Sequence, residues 1–264
     1  LGVCAMDSQG SFRTLSGNQI GCLLLHHILS ARKAAGTLPE NGAAVKSIVS
    51  TNLANAICED YGVTLYEVLT GFKYIGEKIQ QFEDSGEHIF LFGFEESYGY
   101  LSGTEVRDKD AVNAAVLVAE AACVCLKEGI TLFDRLQQIY ARYGYYDEMT
   151  WSGTYPGKEG AEQIKSIMAR LHDETPGDID GVKVLAKRDY LKGVETSKQG
   201  SAPLLFPPSD VVYFKLDRQF WTCVRPSGTE PKIKFYAGAS HPGSLQDAKE
   251  ACAQLLEAFK QLAK

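Results

Sequence analysis

The segment Arg225-Pro226-Ser227-Gly228-Thr229-Glu230-Pro231-Lys232 lies between two apolar runs and concentrates groups suited to an anion. A guanidinium is a planar fork of donors that matches two oxygens of one phosphate. Ser227 and Thr229 add hydroxyl donors, and Gly228 lets backbone N–H groups come close to an anion, as in a nest. The flanking prolines restrict the loop, so less entropy is lost when a ligand orders it. The same residues also describe a plain hairpin turn with a surface Arg225–Glu230 ion pair, and from sequence both readings stand.

A second group is Phe92-Gly93-Phe94-Glu95-Glu96-Ser97-Tyr98-Gly99-Tyr100. Adjacent carboxylates after a buried strand can accept hydrogen bonds from neighbouring hydroxyls of a polyol, and Ser97 can donate or accept. They can equally bind a metal, act as acid and base, or lie in solvent. A site built on hydroxyl contacts discriminates strongly against analogues that lack them. Thr70-Gly71-Phe72-Lys73 sets a lysine beside a helix N-terminus, a place for an anionic ligand or for a merely solvated side chain. Arg107-Asp108-Lys109-Asp110 reads as a helix start with Asp108 or Asp110 as cap. Ala239-Ser240-His241-Pro242 puts a serine next to a histidine, but working Ser/His pairs are assembled in space, and this stretch runs straight into a capped helix. No nucleophile is read there. His26 and His27, on an apolar helix, are read as structural.

Positioning these groups calls for two folding regions, since 264 residues exceed one small core. Residues 1–6 and 11–15, around Asp7-Ser8-Gln9-Gly10, predict a hairpin, followed by a helix over 19–34 capped from Ser16-Gly17-Asn18 and a break over 36–42. Strand patterns at 45–50, 64–70 and 88–94 alternate with helix patterns at 53–61, 74–82, 110–128 and 131–143. That order implies parallel strands joined by right-handed crossovers, with ligands beyond the strands' carboxyl ends. Those ends are Ser50-Thr51-Asn52, Thr70-Gly71-Phe72-Lys73 and Glu95-Glu96-Ser97, three polar stretches on one rim. Residues 144–157, rich in Gly, Tyr and Pro, mark the boundary. Beyond them come a helix at 160–172, strands at 182–185, 211–215, 220–224 and 233–237, and a closing helix at 245–262. The predicted fold class is therefore α/β: a three-layer, mainly parallel sheet domain followed by an α+β domain with an antiparallel sheet.

Composition narrows the function classes. The chain is 45% hydrophobic and 23% charged with net charge −6, which argues against a general nucleic-acid or anionic-membrane surface. The apolar run 111–126 is interrupted by Asn113 and Glu120, which fits a core helix and not a membrane span. Seven cysteines without C-x-x-C spacing suggest reduced thiols in a cytoplasmic protein. No signal-peptide pattern is visible, and no glycine-rich nucleotide fingerprint follows a strand. The chain opens on Leu1 directly in a strand pattern, which leads us to expect a piece of a longer protein.

Together and in this order, the motifs resemble the C-terminal half of the α-D-phosphohexomutases, the phosphoglucomutase/phosphomannomutase family, over nearly the whole chain. Arg225-Pro226-Ser227-Gly228-Thr229 resembles the phosphate-binding loop of that family's fourth domain. Glu95-Glu96-Ser97 resembles the third-domain sugar-binding loop with pattern G-E-x-S, and Thr70-Gly71-Phe72-Lys73 a third-domain segment whose lysine reaches substrate. The resemblance implies a tail of domain two at 1–36, domain three at 37–143, a hinge at 144–157 and domain four at 158–264. It implies substrate-binding roles for Lys73, Glu95, Ser97, Arg225, Ser227, Gly228 and Thr229. The implied parent is a cytoplasmic phosphoprotein and isomerase, an intramolecular phosphotransferase that interconverts hexose 1-phosphate and hexose 6-phosphate through glucose 1,6-bisphosphate with Mg²⁺.

Phe94 stands where the family has glycine, and Tyr98-Gly99-Tyr100 resembles the version in bacterial phosphoglucomutases. Neither a T-A-S-H-N-P-type phosphoserine loop nor a D-x-D-x-D-R metal loop occurs in the sequence. The resemblance thus implies that the nucleophile and the metal ligands lie upstream, in N-terminal domains that partner this part, and that this chain binds a hexose phosphate without turning it over. The competing expectation is a stand-alone, non-catalytic sugar-phosphate-binding or regulatory module.

Overall fold

A turn built on Asp7, whose carboxylate accepts from the Gln9 and Ser11 amides, joins β1 (Val3–Met6) to β2 (Phe12–Leu15) in the computed structural model, which describes residues 1–262. A capping box between Ser16 and Gln19 then starts α1 (Gly17–Ala34). The chain continues as β3 (Gly42–Ser47), α2 (Leu53–Tyr61), β4 (Thr64–Val68), α3 (Phe72–Ser85), β5 (Ile89–Glu95), β6 (Gly99–Leu101), α4 (Ala111–Lys127) and α5 (Leu132–Tyr143). β3 pairs in parallel with β4 and β5, and β6 adds an antiparallel edge, so the sheet order is β4-β3-β5-β6. Side chains alternate along a strand. Ala43 and Val45 of β3 join Val68, Phe72, Ile75 and Ile79 in a core on the α3 side, which leaves Lys46 on the opposite face. α1 packs against β5, α2, α4 and α5, although it lies in the stretch 1–36 assigned from sequence to a preceding domain's tail.

Two compact units result, Leu1–Gly144 and a second that begins at Tyr145. The second contains β7 (Tyr145–Thr154), α6 (Gly157–Asp173), β8 (Asp178–Ile179), β9 (Val182–Asp189), β10 (Val194–Ser197), β11 (Gly200–Pro203), β12 (Val212–Leu216), β13 (Trp221–Pro226), β14 (Lys232–His241) and α7 (Leu245–Leu262). Its sheet runs β11-β10-β9-β12-β13-β14-β7, antiparallel throughout, with β8 beside β9. Val224, Ile233 and Phe235 bury against Met168 and Leu171 of α6 and Leu255 and Phe259 of α7. The α/β class with a mainly parallel sheet followed by an antiparallel one is therefore what the chain adopts.

Several boundaries differ from expectation. β3 begins at Gly42 and ends at Ser47, three residues earlier than its pattern suggests. A strand buried on both faces has no alternation, and Gly42-Ala43-Ala44 looks like a break. The boundary stretch 144–157, where the two units divide, holds a strand that the sequence does not announce: it is mostly β7, which pairs with β14 along ten residue pairs. The glycines and proline of that stretch sit at its ends, while Tyr145, Tyr146 and Trp151 favour a strand. β10 and β11 escaped notice because they are short and largely polar. No helix among the described residues is long and apolar enough to cross a membrane. None of the seven cysteines forms a disulfide among the described residues; Cys4 and Cys123 are exposed and the other five buried.

Candidate functional site

In the first unit, β5 delivers Glu95 to the carboxyl rim of the sheet. The side chain is only 6% exposed, and its Oε1 accepts from the Gly71 amide at 2.6 Å. Gly71 caps α3 with φ 119°, a left-handed conformation that favours glycine. The next carboxylate is held differently. Glu96 Oε2 accepts from the Ser47 hydroxyl at 3.0 Å, and the Glu96 amide donates to Ser50 Oγ at 3.1 Å. Ser47 and Ser50 also bond each other at 2.9 Å. The turn then passes through Tyr98 at φ 66°, with Ser97 and Tyr98 exposed.

The turn is pinned from beneath by α1. A Cβ added at Gly17 would lie 1.9 Å from the Glu96 carbonyl oxygen, so only glycine permits this approach. Tyr100 donates its hydroxyl to the Gly17 carbonyl at 3.0 Å. Burial pushes that phenol above its ordinary range, which keeps it a donor. Lys73, in the first turn of α3, is exposed with its ammonium 4.8 Å over the Tyr74 ring. The three expected strand-ends therefore share one rim: Gly71 bonds Glu95, and Ser50 bonds Glu96.

Sequence reasoning missed the supports of this rim: Gly17, Asn18, Lys46 and Ser47. Asn18 Oδ1 accepts from the Thr51 amide. Lys46, fully buried, stands alone as a charge in the uncharged run 41–49, and that isolation was the available signal.

In the second unit, Arg225 lies near the end of β13, directly opposite Lys234 of β14, which is opposite Ser152 of β7. The row Val224–Phe235–Trp151 faces the helices, so Arg225, Lys234 and Ser152 belong to the other face. The loop between the strands closes through Ser227 N to Lys232 O at 2.8 Å. Ser227 Oγ accepts from the Thr229 and Glu230 amides at 3.4 and 3.3 Å. Glu230 pairs with Lys232 at 3.0 Å. Gly228, Thr229 and Glu230 are exposed, and a Cβ at Gly228 would meet nothing within 4 Å. The fold itself therefore places no steric demand for glycine at 228. Ser240, the serine beside a histidine, donates its hydroxyl to the Arg218 carbonyl at 2.9 Å, and His241 Nδ1 accepts from the Gly243 amide. Among the described residues no group of three or more His, Cys, Asp or Glu side chains could hold a metal ion.

Residues 16–143 match the family described as Phosphoglucomutase/phosphomannomutase, alpha/beta/alpha domain III. Phosphoglucomutase of Staphylococcus epidermidis is 38% identical over 242 residues, 91% of this chain and 43% of that protein. This chain belongs to the phosphoglucomutase/phosphomannomutase family.

The phosphoglucomutase of Staphylococcus haemolyticus is 35% identical over 238 residues, 89% of this phosphohexomutase chain and 42% of the relative. The chain thus spans less than half the length of the curated relatives it matches. Among solved structures, the open form of the Paramecium phosphoglucomutase pp63/parafusin superposes with TM-score 0.63 at 18% identity, covering 96% of this chain and 42% of that one. The Aspergillus fumigatus N-acetylphosphoglucosamine mutase, in complex with GlcNAc-6P and magnesium, gives TM-score 0.50 at 13% identity, covering 100% of this chain and 47% of that one. These likenesses cover both units and establish the phosphohexomutase fold for each.

Proposed function

We propose that this chain is the substrate-recognising part of a mutase that interconverts hexose 1-phosphate and hexose 6-phosphate through a bisphosphorylated intermediate such as glucose 1,6-bisphosphate, and that it works in the cytoplasm. Arg225 grips two oxygens of a phosphoryl group, while Ser227, Thr229 and the open backbone at Gly228 donate to the others. Glu95 accepts from sugar hydroxyls, Ser97 donates or accepts beside it, and Lys73 offers a cation to the substrate. The sugar-binding part lies in residues 37–143 and the phosphate-binding part in 158–264.

The observation that carries this reading is the cross-strand placement of Arg225 opposite Lys234 beside an open glycine. Two cations side by side on one sheet face make a local positive field that suits an anion. Phosphoryl transfer itself rests on positioning and charge stabilisation. In the family that step needs a phosphoserine and Mg²⁺, which on this reading other parts of the parent enzyme contribute, so the chain alone binds without turnover.

Calorimetric titration with glucose 1-phosphate tests the proposal. Arg225→Ala should weaken binding by roughly tenfold or more, the effect of losing a charge-assisted hydrogen bond. Equal affinity in the variant would overturn the assignment, and mutase turnover by the isolated chain would overturn the division of labour.

A further inference from the structure

We propose that Lys46, Ser47 and Ser50 form a positioning network that presets the Glu95–Tyr98 turn, with Glu96 as its anchor and not a sugar ligand. This inference rests on the reading of that turn as the sugar-binding element.

An ammonium taken wholly out of water is costly unless its donors are matched. Lys46 is 0% exposed. Its Nζ lies 3.2 Å from the Ser50 carbonyl, 3.3 Å from the Thr51 carbonyl, 3.0 Å from Asn52 Oδ1 and 3.3 Å from Glu67 Oε1. Three of these acceptors belong to the turn between β3 and α2, and the fourth to β4. A methionine could fill similar space with no charge to satisfy. What the lysine adds is a fixed location for the turn that carries Ser50.

From Ser50 the hydrogen bonds run in one direction. The Glu96 amide can only donate, so Ser50 Oγ accepts from it. The Glu96 carboxylate can only accept, so Ser47 spends its proton there. The remaining Ser47–Ser50 contact at 2.9 Å must then be donated by Ser50. Amide to Ser50, Ser50 to Ser47 and Ser47 to carboxylate make a closed ring in which every proton is used once. Both hydroxyl-bearing residues are 0% exposed, so water does not compete. Backbone and side chain of Glu96 are fixed together, and such a ring is cooperative. Its flanking neighbours Glu95 and Ser97 consequently meet a ligand in a preset arrangement, with less ordering left to do on binding.

Ser50→Ala opens the ring without touching any proposed ligand-binding side chain. Amide hydrogen exchange at residues 95–98 should accelerate by about tenfold, the equivalent of one hydrogen bond. Glucose 1-phosphate affinity should fall several-fold while inorganic phosphate affinity stays near wild type. A purely structural serine would not separate the two ligands. Ser47→Ala should give the same pattern. Lys46→Met should accelerate the same amides, and if it does not fold, Ser50→Ala decides the matter alone. Unchanged exchange at 95–98 in both serine variants would overturn the inference. Failure of the unmodified chain to bind glucose 1-phosphate would instead overturn the functional reading, and the exchange measurement would still judge the network.

Discussion

The two candidate regions are built by different physics. At the rim of the first unit the polar groups are buried and tied: Lys46, Ser47 and Ser50 are 0% exposed, and Glu95 accepts a 2.6 Å bond from Gly71. In the second unit the Arg225 loop is open. Gly228 and Thr229 are exposed, and the bonds within the loop to Ser227 Oγ are 3.3–3.4 Å. Hydroxyls are read by geometry, which demands acceptors fixed in advance. A phosphoryl group is gripped by charge, which tolerates a looser frame but is screened by salt.

The sharpest way to break this contrast is to remove Lys46. Lys46→Met takes a donor from the Ser50 and Thr51 carbonyls and Asn52 Oδ1 and should cost about 1–3 kcal/mol, read as a lower urea midpoint in far-UV circular dichroism. Both tryptophans, Trp151 and Trp221, lie in the second unit, so their fluorescence reports that unit. A midpoint unmoved by Lys46→Met would show the rim to be less tightly held than its burial implies. The glycines give a more pointed pair. Gly17→Ala drives a methyl into the Glu96 carbonyl and should cost about 1–3 kcal/mol. Gly228→Ala, with open space around it, should change stability by no more than about 0.5 kcal/mol yet weaken phosphate-ester binding. Equal stability losses in the two variants would erase the distinction.

Acid should separate the units further. Burial lowers the pKa of His26, in the first unit, to about 4. Between pH 6.5 and 4 the unfolded chain binds the proton more readily, so this contribution to stability is intact above 6.5 and lost as pH falls. Burial raises Asp147, in the second unit, to about 6. There the folded state holds the proton longer, so stability declines as pH rises from about 3.8 to 6. Acidifying from pH 7 to 5 should therefore weaken the first unit and strengthen the second, and His26→Gln and Asp147→Asn should each flatten the corresponding profile of melting temperature against pH. The smallest effect is reserved for Lys73→Ala, which should leave stability within about 0.5 kcal/mol and reduce glucose 1-phosphate affinity a few-fold in titration. A loss matching that of Arg225→Ala would make the lysine an equal partner in the grip.

Much of the fold was legible because its signals are local. The helices Leu53–Tyr61 and Leu245–Leu262 have the bounds their periodicity predicts, and Ser16 and Asp110, each among the cap candidates the sequence offers, are the residues that cap. The bounds of β3 and the strand β7 within the boundary stretch 144–157 are not legible, because a strand buried on both faces and one bounded by Gly and Pro both lack a clean alternation. The motif residues Glu95, Ser97 and Arg225 stand out by type, each next to an apolar strand. Gly17 and Lys46 do not, since nothing near them in the chain shows what they touch.

Residue type and spacing alone thus determined which chemistry is on offer, a guanidinium loop and a paired-carboxylate turn, along with the order of helices and strands, because propensity, capping and side-chain period act over a few residues. Only the folded chain decided that Glu96 is anchored by Ser47 and Ser50, that α1 approaches its carbonyl through a glycine, and that Arg225 faces Lys234 across two strands. Those contacts join residues 9 to 79 positions apart, and hydrogen bonds and burial at such separations exist only once the sheets have set their register.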